Sequence, residues 1–128
     1  MRLAAPVLAY WAVTFTLGFV LGTMRVLWGA EALGETAFVA IEIPIMLGAS
    51  WLAARWLLRR FAIATAREAL VMGGAAFALL MAAELVLASV IGEGARGWLA
   101  SLTRAPGLYG FLGQIGFALM PRLAIGRR

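Results

Sequence analysis

Residues 35–58 read ETAFVAIEIPIMLGASWLAARWLL, and this stretch decides the class of the chain. As a helix rising ~1.5 Å per residue it is ~36 Å long, enough to cross the hydrocarbon core of a bilayer. Within it Glu42 stands between Ile41 and Ile43, with Pro44 two residues on, where an ordinary membrane helix carries leucine or valine. A carboxylate at that depth is costly unless other helices shield it from lipid. The rest of the chain therefore has to supply those helices.

It does so in three more apolar runs. The first covers about residues 6–27, with Arg2 before it, Pro6 in the first turn, and Tyr10 and Trp11 placed for an interfacial aromatic belt. A tight turn over Trp28 to Gly34, carrying Glu31, is expected to lead into the second run. The Ala30-Glu31-Ala32 triplet is a signal-cleavage-like site. The apolar stretch before it is long for a signal peptide and is interrupted by Arg25, so the first run reads as a retained span. The second run closes on Arg55, Arg59 and Arg60, with Arg67 after a short link, and Pro44 is expected to kink or loosen its first third. The third covers about 68–91 and the fourth about 107–125, the latter Gly-rich and containing Pro121. Between them, Gly92 to Pro106 is too short and polar to span. Trp98, Leu99 and Leu102 fall on one side of a possible interfacial helix there, with Arg96 and Arg104 elsewhere.

Composition agrees with this reading. Apolar residues make up 64% of 128 residues, with a mean hydropathy of +0.96. A soluble domain of that size could not cover its surface with what polar residues remain. The expected fold class is therefore all-α, an integral membrane four-helix bundle forming one domain over residues 1–128. Lysine, aspartate and asparagine are absent, so every basic residue is Arg and every acidic one Glu. Together with abundant Ala and Gly, this points to a GC-rich bacterial genome and so to a bacterial inner membrane. With both termini inside, eight arginines (Arg2, Arg55, Arg59, Arg60, Arg67, Arg122, Arg127, Arg128) face the cytoplasm and three (Arg25, Arg96, Arg104) face out. That bias predicts cytoplasmic termini. The net charge of +5 thus reads as a topology signal and a contact for anionic lipid headgroups through Arg55, Arg59, Arg60 and Arg67. It does not read as a nucleic-acid surface.

Chemistry is limited by what is missing. Without cysteine or histidine there are no disulfides, thiolate or imidazole metal sites, cysteine nucleophiles or His-ligated haem. Ser50, Ser89 and Ser101 have no His, Lys or Asp to activate them, and no Gly-rich loop joins a strand to a helix. No catalytic residue, cofactor or metal is expected. Met46, Met72 and Met81 read as packing residues.

What remains is an intramembrane polar cluster. Glu42, Glu84 and Gln114 each lie seven residues from the outer end of their span, ~10 Å below the surface. Arg25, in the last turn of the first span, starts higher and can reach down. Small residues mark the same faces: Gly18 and Gly22 beside Thr14 and Arg25, Gly107 and Gly110 beside Gln114 and Ala118, Gly73 and Ala88 beside Glu84, Ala49 beside Glu42. Two acids and one base cannot all pair one to one, so the cluster is expected to titrate as a unit.

Size and span count are similar to those of small multidrug exporters and small fluoride channels, four-helix families that dimerise. The exporters' acid lies midway along the first span, where this chain has only threonines and glycines until Arg25. The channels' dual orientation goes with a weak charge bias, unlike the bias here. The stretch Gly22-Thr23-Met24-Arg25-Val26-Leu27, followed by Glu42-Ile43-Pro44-Ile45-Met46-Leu47, resembles small four-span bacterial inner-membrane proteins. That resemblance implies a fold over nearly the whole chain and no activity, cofactor or partner. Two readings follow. One is a non-enzymatic structural or accessory subunit, self-associating or part of a larger membrane complex. The other is an oligomeric small channel or proton-coupled carrier that uses the glutamates.

Overall fold

A computed structural model describes residues 3–90, 92, 94–103 and 107–125; Arg2, Arg104, Pro106, Arg127 and Arg128 lie outside them. All regular elements described are helical. They are α1 (Ala4–Met24), a π-helical turn (Arg25–Gly29), α2 (Ala30–Leu33), α3 (Glu35–Arg60), α4 (Ala66–Val90), α5 (Gly94–Ser101) and α6 (Gly107–Ile125). Four of the helical stretches, Ala4–Leu33, Glu35–Arg60, Ala66–Val90 and Gly107–Ile125, are long and apolar enough to cross a membrane.

The first of them differs from the sequence expectation. Nothing between Trp28 and Leu33 breaks a helix, so the chain continues through the π turn, where the Ala30 N–H bonds to the Arg25 carbonyl. The predicted turn shrinks to Gly34, whose φ of 87° suits glycine and which both ends α2 and starts α3. Gly29 serves the reversal too. A Cβ there would collide with the Phe38 ring, which packs into the space and meets Trp28 edge-on at 6.3 Å. Pro44 does not interrupt α3, which runs on to Arg60.

The α3–α4 link is a Schellman closure built without glycine. Ile63 N–H bonds to Leu58 O at 2.9 Å and Ala62 N–H to Arg59 O at 3.3 Å, with Ile63 and Leu58 both buried. Ala62 holds the left-handed position at φ 52°, where its methyl is strained. Ala62→Gly is therefore expected to stabilise the protein by about 1 kcal/mol, read as a higher melting temperature in mild detergent. A lower one would show that the turn gains more from the methyl than it loses. Thr65 then caps α4, its hydroxyl accepting from Glu68 N–H at 3.2 Å in a Thr-x-x-Glu box, which moves the helix start back to Ala66.

α3 and α4 each pack against both α1 and α6. Successive hairpins reverse direction, so α3 and α6 run parallel, and Gly113 and Gly116 sit on Ile43 and Leu47 one turn apart. The sequence reading assigned the small face of α6 to Gly107 and Gly110; Gly110 has open space around it instead. Antiparallel α4 and α6 approach most closely at Gly73, where a Cβ would fall on the Ala118 carbonyl oxygen. The core lies between the helices at the Arg-rich end and includes Tyr10, Ala54, Leu57, Met72, Ala76 and Phe117. Met72 is wholly buried there, and the Met46 methyl lies 3.6 Å from where a Gly18 Cβ would be.

Candidate functional site

The four polar residues singled out from the sequence form two separate bonded sets. In the first, Arg25 Nη1 donates to Glu42 Oε1 at 2.7 Å, joining the end of α1 to α3. Their side chains are 27% and 13% exposed. Arg25 is not in the last turn of its helical stretch. Arg25 lies nine positions before Gly34 and Glu42 eight positions after it, so the two stand nearly level about that hinge, ~12–13 Å from it. The π turn that prolongs the helix is what brings the base to the depth of the acid.

In the second set Glu84 of α4 accepts from two neutral donors. Gln114 Nε2 of α6 bonds Glu84 Oε1, and Trp98 Nε1 of α5 reaches Oε2 at 3.4 Å. The Gln114 Oε1 atom is buried without a hydrogen-bond partner. Trp98 thus turns inward from α5 while Leu99 stays 56% exposed. The expected side with Trp98 and Leu99 together is not formed, because adjacent helical positions are separated by 100°. Phe77 and Phe111 pack at 6.3 Å between the same two helices. Small neighbours do what the sequence suggested around Glu84, with Gly73 and Ala88 buried on that helix.

A third polar group was not legible as a site. Tyr10, read as an interfacial anchor, is fully buried; its hydroxyl donates to Phe117 O at 2.6 Å and its ring stacks on the Phe117 ring at 4.3 Å. The reason lies four residues on. Pro121 has no N–H to give the Phe117 carbonyl, so that acceptor would be orphaned inside the bundle. Tyr10 replaces the missing donor from across the core. Ser50 and Thr14, both buried, add two hydroxyls to the core, that of Ser50 beside the Tyr10 phenol. The usable signal was the pairing of an intrahelical proline with a tyrosine at matching depth on another span.

Tyr10→Phe keeps the stack and removes only the donor. It is expected to cost about 1–3 kcal/mol in detergent unfolding. In a Pro121→Ala background, where residue 121 again offers its N–H, the same change should cost less than about 1 kcal/mol. Equal costs in both backgrounds would mean that the phenol serves something other than this carbonyl.

At the end of the bundle nearest this core, Arg55, Arg59, Arg60 and Arg67 are exposed. The Arg55 guanidinium lies 5.1 Å from the Trp51 ring centre and that of Arg60 lies 5.4 Å from Phe61. No group of three or more potential metal ligands occurs among the described residues. Two open apolar grooves mark the outside: one between α3 and α6 at Ile43, Leu47 and Leu112, one between α1 and α3 at Val13, Leu52 and Trp56. No protein-family model matches the chain, and neither curated proteins nor solved structures include a match to it.

Proposed function

We propose that the chain is a small multi-pass protein of a bacterial inner membrane, with both termini cytoplasmic. In this reading it acts without catalysis, by packing against other membrane helices as an accessory or self-associating subunit. The observation that carries this reading is the separation of the polar groups. Arg25 and Glu42 satisfy one another, Glu84 is held by Gln114 and Trp98, and no hydrogen bond or ion pair links the sets among the described residues. A conduction path needs polar groups in sequence along a cavity. The two grooves between α3 and α6 and between α1 and α3 are apolar and open outward. The outer surface, with Val26, Leu52, Val86, Val90 and Leu123 more than 60% exposed, suits lipid and neighbouring helices.

One feature favours the carrier alternative. Glu84 is an intramembrane carboxylate whose bonded partners are both neutral, the kind of group on which proton coupling is built. Liposome flux separates the two readings. The packing role predicts no pH-dependent ion flux from the reconstituted chain, together with a homo-oligomer or a co-purifying membrane protein in mild detergent. Flux that Glu42→Gln or Glu84→Gln abolishes, with assembly intact, would establish the carrier and overturn the packing role.

A further inference from the structure

The groove between α1 and α3 is lined by Ala9, Val13, Ala49, Leu52, Ala53 and Trp56. It lies in the half of the bundle that ends in exposed arginines. On α3 the residues Ala49, Ala53, Trp56 and Arg60 recur at i, i+4, i+7 and i+11, so Arg60 stands at the foot of the groove's own face. Leu52, Trp56 and Arg59 recur at i, i+4 and i+7, so Arg59 stands in the same turn as Arg60, about 100° round the helix on the groove's Leu52 flank. Trp56 is 63% exposed just before them, as an indole at a polar boundary would be. The groove is apolar along its length and leads to the helical turn that carries both arginines.

The second groove lacks this termination. It is lined by Ala40, Ile43, Leu47, Tyr109, Leu112 and Gly113. On α3 its face runs through Ile43, Leu47 and Trp51 to a single exposed arginine, Arg55, whose guanidinium lies 5.1 Å from the Trp51 ring centre, and Arg25, in the same half, is committed to Glu42.

We propose that the α1–α3 groove binds one anionic phospholipid. One acyl chain lies along Ala49, Ala53 and Trp56, and the phosphate is held by Arg59 and Arg60. The proposal rests on the reading of the chain as a membrane protein. Charge complementarity selects this occupant. A partner helix would satisfy only the apolar walls, and a zwitterionic lipid would bring a cation toward the two guanidiniums. An anionic headgroup meets both, with forked N–H donors suited to phosphate oxygens.

The test uses the full chain reconstituted in vesicles of phosphatidylcholine with a minor share of phosphatidylglycerol, then extracted in mild detergent for native mass spectrometry. One phosphatidylglycerol per chain is expected to survive extraction. The Arg59→Gln/Arg60→Gln variant, which leaves the core untouched, should retain about tenfold less. Ala53→Phe, which fills the groove, should do the same with both arginines present. Arg96→Gln, which removes an exposed charge on α5, should retain as much as the parent chain. Retention unchanged by the double variant, loss equal in Arg96→Gln, or retention of phosphatidylcholine in place of phosphatidylglycerol each overturns the site. A chain that does not enter the vesicles overturns it by a separate route, because the membrane reading then falls first.

Discussion

Gly73→Ala is expected to destabilise the bundle by about 3 kcal/mol, near the top of the usual range for overpacking. Gly74→Ala, one residue on, is expected to stabilise it by up to about 1 kcal/mol. The two substitutions add the same methyl group to the same helix. At Gly73 the new carbon falls on the Ala118 carbonyl oxygen, with the carbonyl carbon at 2.9 Å and Pro121 Cδ at 3.3 Å. Those atoms belong to a backbone and a ring, so no rotamer change relieves the overlap and α6 must move as a unit. The move would pull Phe117 from Tyr10 and Gln114 from Glu84, since α6 carries both. At Gly74 no atom lies within 4 Å of the added carbon, and only the gain in helix preference remains. Unfolding of both variants in mixed detergent, followed by circular dichroism, measures the difference. Near-equal effects would show that the α4–α6 crossing is looser than its geometry implies.

That contrast also shows what can be read from sequence here. Four runs of sufficient apolar length force four helices, because a bilayer-sized apolar segment has few other ways to satisfy its backbone. The pairing of Arg25 with Glu42 was within reach for the same reason, since a hairpin fixes depth by counting residues. The count still misplaced Arg25, because a π turn followed by Ala30–Leu33 looks like loop when Gly29 and Gly34 bracket it. Gly73 was legible as the packed glycine of α4, because it shares a helical face with Glu84 and the adjacent Gly74 does not. On α6 the same reasoning chose Gly107 and Gly110, whereas Gly113 and Gly116 meet α3, because the rotation of α6 against α3 is set by packing that the sequence does not display. Tyr10 was misread because its environment is set by Pro121, whose freed carbonyl becomes a demand only once α1 and α6 face each other across the core.

Replacing either member of the Arg25–Glu42 pair is the second large effect. Arg25→Leu leaves a carboxylate between Ile41 and Ile43 with no cation beside it; Glu42→Leu leaves a guanidinium in the same position. Removing one partner of a buried pair costs about 3–5 kcal/mol. With side chains 27% and 13% exposed, about 2–4 kcal/mol is expected for each single variant. The double variant Arg25→Leu/Glu42→Leu should recover most of that, because a pair replaced by apolar groups loses its attraction and its desolvation cost together. The cycle therefore distinguishes shielding from mere attraction. If the pair exists to let Glu42 sit among apolar side chains, the double variant folds nearly as well as the parent chain. If the bond instead holds the π turn in register with α3, the double variant stays as unstable as the worse single one, since leucines supply no directional link. Single costs below about 1 kcal/mol would place the pair with exposed ion pairs. The level match of base and acid about Gly34 would then have no energetic consequence for the first hairpin.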